Sequence, residues 1–189
     1  MRSDFRRVVV IGYGKATGGI LKYRLEFIEH EPHALGVTKQ ICEERGIPFA
    51  SMPDKRELGR YFGEIQEKTL IVSASNNFLF PAAVVERENI SIINFHNALL
   101  PDYPGRNAPS WVIYRGEAQT GITWHYVTAG VDEGNIILQK SCRIGPDTKA
   151  YELTETLMEL AYDGFCECFD GVLQENAVAR PQGFSPERR

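Results

Sequence analysis

Long apolar runs are missing from this chain of 189 residues. No stretch approaches the ~18 consecutive apolar residues that a membrane-crossing helix needs. The opening Met1-Arg2-Ser3-Asp4-Phe5-Arg6-Arg7 also lacks the hydrophobic segment of a secretory signal. A membrane partner is therefore not expected, and a cytoplasmic location is. Cysteine is scarce: Cys42, Cys142, Cys166 and Cys168 show neither paired metal-ligand spacing nor the density of a disulfide scaffold. Cys166 and Cys168 stand two apart on an expected helix, so their side chains diverge, and no metal is expected. Basic charge never gathers into a stripe; the formal net charge is −4 and only short pairs such as Arg6-Arg7 occur. That balance argues against DNA or bulk RNA as a partner and leaves room for one small anionic ligand. Linkers, repeats and long polar tracts are absent too, so residues 1–189 are expected to form one domain with a sizeable core.

The residues that are present alternate between short apolar runs and helical patterns. Val8-Val9-Val10-Ile11 enters Gly12-Tyr13-Gly14, the pattern of a buried parallel strand followed by a tight turn. From Thr17 to Glu29, Ile20, Leu21, Leu25 and Ile28 fall at near-helical spacing ahead of Pro32, which predicts a helix. Ala34 to Val37 reads as a strand, Lys39 to Arg45 as a helix closed by Gly46, and Ile47 to Phe49 as an extended piece. Leu70-Ile71-Val72 runs into the polar loop Ser73-Ala74-Ser75-Asn76-Asn77; Ala82 to Glu88 looks helical and Ile90 to Phe95 extended. Gly121 to Val127 and Asn135 to Cys142 are expected to pair antiparallel. Leu153, Leu157, Leu160, Ala161, Cys168, Phe169 and Val172 mark one face of a long helix, with Asp147 or Thr148 as its cap. This alternation predicts an α/β fold, a Rossmann-like twisted and mostly parallel sheet with helices on both faces. Ligands of such sheets gather at the carboxyl ends of the strands, near the point where strand order reverses.

The polar residues at those ends concentrate in two places. Asn94 and His96 lie two apart on one strand end and so face the same side. An amide beside an imidazole suits a reaction in which charge builds on a carbonyl oxygen while a proton moves, although such a pair alone is more often a loop hydrogen-bonder. Downstream, Gly121-Ile122-Thr123-Trp124-His125 leads to Asp132 on a turn flanked by Gly130 and Gly134.

Taken in order, Asn94-x-His96, Leu99-Leu100-Pro101, Pro104-Gly105, Pro109, Trp111, Gly121-x-Thr123-x-His125 and Asp132-x-Gly134-x-Ile136 resemble the catalytic core of the folate-dependent formyltransferases. The resemblance covers roughly Val8 to Gln182 and is specific from Leu70 to Lys140. It implies that Asn94, His96 and Asp132 work together while an amine attacks the formyl carbon of 10-formyltetrahydrofolate. Asn94 and His96 would stabilise the oxyanion, and Asp132 would hold His96 as a charged donor and relay protons. Thr123 and His125 match positions that orient the aspartate or its water; an ordinary strand histidine is an equal reading of His125. The pterin would be held by Asn77, Phe78, Leu79 and Phe80, by Ala98, Leu99, Leu100 and Pro101, and by Thr128 and Gly130, with Val85 as a further wall that core packing explains equally well. Ala98 where the family has a small serine, Asn97 before it, and Trp124 where an aliphatic residue is usual depart from the pattern.

The segment Gly12-Tyr13-Gly14-Lys15-Ala16-Thr17 invites a dinucleotide reading, but Thr17 stands where the third glycine belongs and no acidic strand end is evident at the expected distance. Gly12, Gly14 and Lys15 would instead meet a phosphate of the acceptor, with a plain strand-to-helix turn the more ordinary alternative. Arg106 and Asn107 are the other candidates for the acceptor. An amino sugar or an amino-acid-derived amine is the favoured acceptor and glycinamide ribonucleotide fits the length. Transfer RNA is not expected, because the methionyl-tRNA enzymes of the family carry a further C-terminal domain. Hydrolysis of the formyl donor and binding without catalysis are the competing functions, and a homodimer rests on family analogy alone.

Overall fold

The computed structural model describes residues 5–12, 26–30 and 37–183. Seven strands form one sheet: β1 Arg7–Gly12, β2 Glu26–Glu29, β3 Phe49–Ser51, β4 Thr69–Ala74, β5 Ile90–His96, β6 Gln119–Tyr126 and β7 Ile136–Arg143. Their order is β3-β2-β1-β4-β5-β6-β7. β1 to β5 run parallel, whereas β6 is antiparallel to both β5 and β7. The chain builds outward from β1 to β3 and returns to place β4 against the other side of β1. Strand order therefore reverses between β1 and β4, beside the ends that carry the candidate residues.

Alternation along the strands sorts the core into two faces. Val10, Val72, Ile93, Phe95, Ile122 and Trp124 face α5, Ala150–Leu173. The helix answers with Leu153, Leu157, Ala161, Phe165, Phe169 and Val172, each 2% exposed or less. Trp124 is fully buried there, and its Nε1–H donates to the Ala161 carbonyl at 2.9 Å, so the departure from an aliphatic residue is absorbed by packing. Val9, Ile11, Ile71 and Ile92 face the other way, against Leu58 and Phe62 of α2, Lys55–Glu64, and Val84 of α3, Ala82–Val85. No helix among the described residues is long and apolar enough to cross a membrane.

Several local expectations are corrected. The helix predicted from Thr17 to Glu29 gives way at its end to strand β2, with Phe27 paired to Val10; residues 17–25 lie outside the described set. Four residues with two buried apolar side chains fit a strand as well as a helical turn, and periodicity cannot separate the two over so short a span. Val37, expected in a strand, opens helix α1, Val37–Arg45, while residues 34–36 are not described. The extended piece at Ile47 to Phe49 becomes β3 only from Phe49 onward. Helix α2 was not anticipated, because it buries only Leu58 and Phe62 and carries Gly59 and Gly63; Asp54 caps it by accepting from Arg56 N at 2.7 Å. The helix expected to Glu88 stops at Val85, and Ala108–Tyr114 forms an unanticipated α4. The cap of α5 is Lys149 rather than Asp147 or Thr148, with Glu152 reaching back to its N–H at 2.9 Å.

Candidate active site

Sheet register assembles the site. Ser73 on β4 pairs with Asn94 on β5, Asn94 pairs with His125 on β6, and His96 pairs with Thr123. Ser73, Asn94 and His125 thus stand in one row across three strands, on the face shared with α2 and α3 but past the end of its apolar patch. Hydrogen bonds follow the row. Asn76 Nδ2 donates to Ser73 Oγ at 3.4 Å, Ser73 Oγ donates to Asn94 Oδ1 at 2.8 Å, and Asn94 Nδ2 donates to His125 Nε2 at 3.2 Å. His125 Nδ1 donates to the Tyr126 carbonyl at 2.8 Å, which fixes the ring with Nε2 toward Asn94 and Asp132. The amide of Asn94 is held in one orientation, with one N–H left for a ligand.

Asp132 comes from the turn between β6 and β7, in a left-handed conformation at φ 56° that an aspartate tolerates better than most residues. One carboxylate oxygen lies 3.4 Å from His96 Nδ1 and accepts from Gly105 N at 2.7 Å; the other lies 3.5 Å from His125 Nε2. Gln182 donates to the carbonyls of Asp132 and Gly134 at 2.8 and 2.6 Å, fixing the turn from outside. Gly134 admits no side chain, since a Cβ there would sit 1.8 Å from the Tyr126 carbonyl oxygen.

Protonation is set by competing causes. His96 is 5% exposed, and burial pushes its pKa down from the ordinary value, against the upward pull of Asp132 and the Tyr103 carbonyl. Burial thus works against the charged donor that a carboxylate neighbour alone would predict. His96 Nε2 donates to the Tyr103 carbonyl at 2.7 Å, so in the neutral imidazole Nδ1 is the bare nitrogen and faces Asp132. Burial works to raise the Asp132 carboxyl, but the His125 contact, His96 and the Gly105 N–H together hold it below the usual range.

A cleft of about 730 Å³ opens over Asn94, His96, His125 and Asp132. Asn77, Phe78, Leu79, Phe80, Thr128 and Gly130 line it as expected of ligand-contacting residues, as do Arg106 and Asn107. Val85, Ala98, Leu99, Leu100 and Pro101 do not line it. Val85 packs in the core beside α2, and Ala98 and Leu100 are buried beneath the site. The backbone from Ala98 to Leu100 is already engaged: Thr123 Oγ1 donates to the Ala98 carbonyl at 2.7 Å and accepts from Leu100 N at 3.1 Å, while Gln139 donates to the Leu100 carbonyl. Thr123 therefore braces this segment. Leu99 points back at the sheet, where a Cβ on Gly121 would approach its Cδ2 to 2.7 Å.

Gly12 closes β1 and is not among the cleft residues; Gly14 and Lys15 lie outside the described set. The acidic strand end found wanting for dinucleotide binding does exist, since β2 ends on Glu29, hidden from sequence by its helical look. Thr17 still occupies the third glycine position. Ser73, Ser75, Thr154 and Met158 line the cleft without having been singled out; Ser73 was legible as the first polar residue after an apolar strand. No group of three or more histidine, cysteine or acidic side chains among the described residues could hold a metal ion.

Comparison with known proteins follows the same lines. Residues 36–169 match the family model described as formyl transferase. The methionyl-tRNA formyltransferase of Geobacter metallireducens is 34% identical over 135 residues, covering 70% of this chain and 43% of that protein. The chain spans less than half the length of the curated relatives it matches. Among solved structures, an N-formyltransferase from Helicobacter canadensis, in complex with folinic acid and dTDP-3-aminofucose, superposes with TM-score 0.78 at 19% identity, covering 94% of this chain and 67% of that one. Glycinamide ribonucleotide transformylase 1 from Symbiobacterium toebii gives TM-score 0.77 at 22% identity and 94% coverage of both chains. At these identities the structural likeness is one of fold. The match over residues 36–169 is what places the sequence, and this chain belongs to the formyl transferase family.

Proposed function

We propose that this protein transfers a formyl group from 10-formyltetrahydrofolate to a primary amine. The observation that carries the proposal is the meeting of Asn94, His96 and Asp132 in one cleft, with His96 Nδ1 3.4 Å from Asp132 Oδ2. A primary amine answers that arrangement, because its N–H groups can be offered to that nitrogen and that oxygen while its lone pair points into the cleft. The cleft suits the donor as well: its volume is in the range of ligand sites, and Phe78, Leu79, Phe80 and Val127 give apolar walls for a planar ring among polar groups. Bound folate would supply an activated formyl carbon.

The chain's own residues then divide the work. Asn94, oriented by Ser73 and His125, offers its N–H to the formyl oxygen as negative charge develops there. His96 Nδ1 takes the proton that the attacking amine loses and gives it to the donor nitrogen as the bond from that nitrogen to the formyl carbon breaks, releasing tetrahydrofolate. The intervening imidazolium finds acceptors on both sides, Asp132 at Nδ1 and the Tyr103 carbonyl at Nε2, so the site is arranged for the charged histidine that forms during turnover.

The favoured acceptor is a small amine such as an amino sugar or an amino-acid-derived amine, with Arg106 and Asn107 on the cleft wall as its contacts. A second reading, methionyl-tRNA, is supported by the curated relatives. Incubation with 10-formyltetrahydrofolate and a panel containing aminodeoxysugar nucleotides, amino-acid amines, glycinamide ribonucleotide and methionyl-tRNA, read by mass spectrometry, separates these. Loss of formyl-folate at the same rate without any amine would instead favour hydrolysis. Folate binding without either reaction would favour a binding module.

A further inference from the structure

His96 Nε2 donates to the Tyr103 carbonyl at 2.7 Å, so in the neutral imidazole the nitrogen that faces Asp132 is the bare one. That carbonyl belongs to a residue in an unusual state. Tyr103 is left-handed at φ 56°, a conformation that a bulky side chain keeps only where its surroundings hold it there. The surroundings do hold it. Tyr103 is 8% exposed, its hydroxyl donates to Glu117, and the Arg115 guanidinium lies 5.3 Å over its ring. Arg115 caps α4, and Glu117 follows two residues later, anchored by its N–H to the Val112 carbonyl at 3.0 Å. Neither residue touches the cleft.

We infer that Tyr103, clamped by Glu117 and Arg115, is a positioning residue: it fixes the carbonyl that keeps His96 in the Nε2–H form and so keeps Nδ1 free toward Asp132. Without the clamp, relaxation of residue 103 toward ordinary backbone angles would swing the carbonyl away. The proton of His96 would then favour Nδ1, where it can be donated to the Asp132 carboxylate. That tautomer is the better hydrogen-bonded one at rest and has no lone pair to offer the amine. The groups facing His96 are the Asp132 carboxylate, the Tyr103 carbonyl and the His125 ring, so the clamp acts through the second of these alone. The catalytic consequence rests on the proposed role of His96 as proton acceptor; the tautomer itself does not.

The test uses the unliganded protein. In 15N spectra of histidine-labelled chain, His96 should show a protonated Nε2 and a bare Nδ1 at neutral pH. Tyr103→Phe, which deletes only the hydroxyl, and Glu117→Ala should give a mixed or reversed pattern, and Glu117→Gln should restore most of the original one. Arg115→Ala, at an exposed position, supplies the same reading should either of the first two lose its fold. In turnover with an accepted amine, the folded variants should lose roughly three- to tenfold in kcat with little change in KM for folate, because a fraction of a general-base contribution is removed. An unchanged Nε2–H signature in folded Tyr103→Phe, Glu117→Ala and Arg115→Ala would overturn the inference. Should no amine prove to be a substrate, the spectra still decide the clamp, so its failure and that of the proposed reaction remain distinguishable.

Discussion

Gln182 is tied to Asp132 across fifty residues of sequence: its amide donates at 2.8 Å to the Asp132 carbonyl and at 2.6 Å to that of Gly134. The segment after α5 therefore holds the turn that presents the carboxylate. Arg180 completes the tie by pairing its backbone with Ile136 in both directions, at 2.8 and 2.9 Å. Gln182→Ala should cost about 1–2 kcal/mol for two neutral hydrogen bonds, measured by urea denaturation. It should also lower kcat more than KM, since the carboxylate loses its fixed position. A variant as active and as stable as the parent would show that the turn is held by other means.

Asn94 and Ser73 should differ in degree. Asn94→Ala removes the N–H proposed for the developing oxyanion, and turnover should fall on the order of a hundred- to a thousandfold. Ser73→Ala leaves that N–H in place but frees the amide to rotate, because the 2.8 Å bond to Oδ1 is lost. A smaller loss, about tenfold, is expected, an interval that fits an orienting contact better than a direct one. Equal losses in single-turnover assays would mean that Ser73 itself touches the substrate.

The pH dependence follows from the two directions of shift. Burial holds His96 below its ordinary value of about 6.5, so the unfolded chain takes up the proton more readily than the folded one. Its contribution to stability is complete above pH ~6.5 and is lost as pH falls toward the folded pKa. Asp132, held below the usual carboxyl range, contributes above the unfolded value of about 3.9, and that contribution fades as pH falls through its own lower pKa. Urea midpoints between pH 7.5 and 5 (roughly the interval where histidines rather than carboxylates titrate) should therefore fall more steeply for the parent than for His96→Gln. The acid limb of kcat/KM should lie below the ordinary histidine value, because the neutral imidazole is the working form. A limb above it would mean that the Coulombic pull of Asp132 outweighs burial.

Two glycines should respond in opposite ways. At Gly134 a Cβ would meet the Tyr126 carbonyl oxygen at 1.8 Å, so Gly134→Ala must push the Asp132 turn away from the sheet. Stability and activity should fall together. Gly59 lies inside α2 with nothing within 4 Å of the point where an alanine methyl would stand. Gly59→Ala should therefore stabilise by about 0.5–1 kcal/mol through helix propensity without altering turnover. Thermal melts of the pair provide the comparison.

Much of the fold could be read from the chain because it depends on patterns that survive without neighbours. The β-branched run at Val8 to Ile11, the apolar run at Leu70 to Val72 and the α5 stripe from Leu153 to Val172 each bury enough surface to be legible alone. Segments that failed were those in which few residues decide. Phe27 and Ile28 mark a strand only when β1 is beside them. Leu58 and Phe62 make a helix only against the sheet face that they cover. The cleft shows the same division. Asn94 and His96 stood out by spacing, Asp132 by its glycine-flanked turn, and only the family resemblance joined the three, whereas the bonds of Thr123 and Gln139 to the backbone of Ala98 and Leu100 exist only in the folded chain.

By itself the sequence determined which side chains have chemistry to offer and the α/β alternation that sends polar residues to strand ends, since both follow from local periodicity and residue type. Only the tertiary structure decided that Ser73, Asn94 and His125 form one row, that burial disfavours charge on His96, and that its Nδ1 faces Asp132. Those outcomes depend on strand register, on solvent exclusion and on a carbonyl seven residues along the chain, and each of them exists only once distant segments have packed against one another.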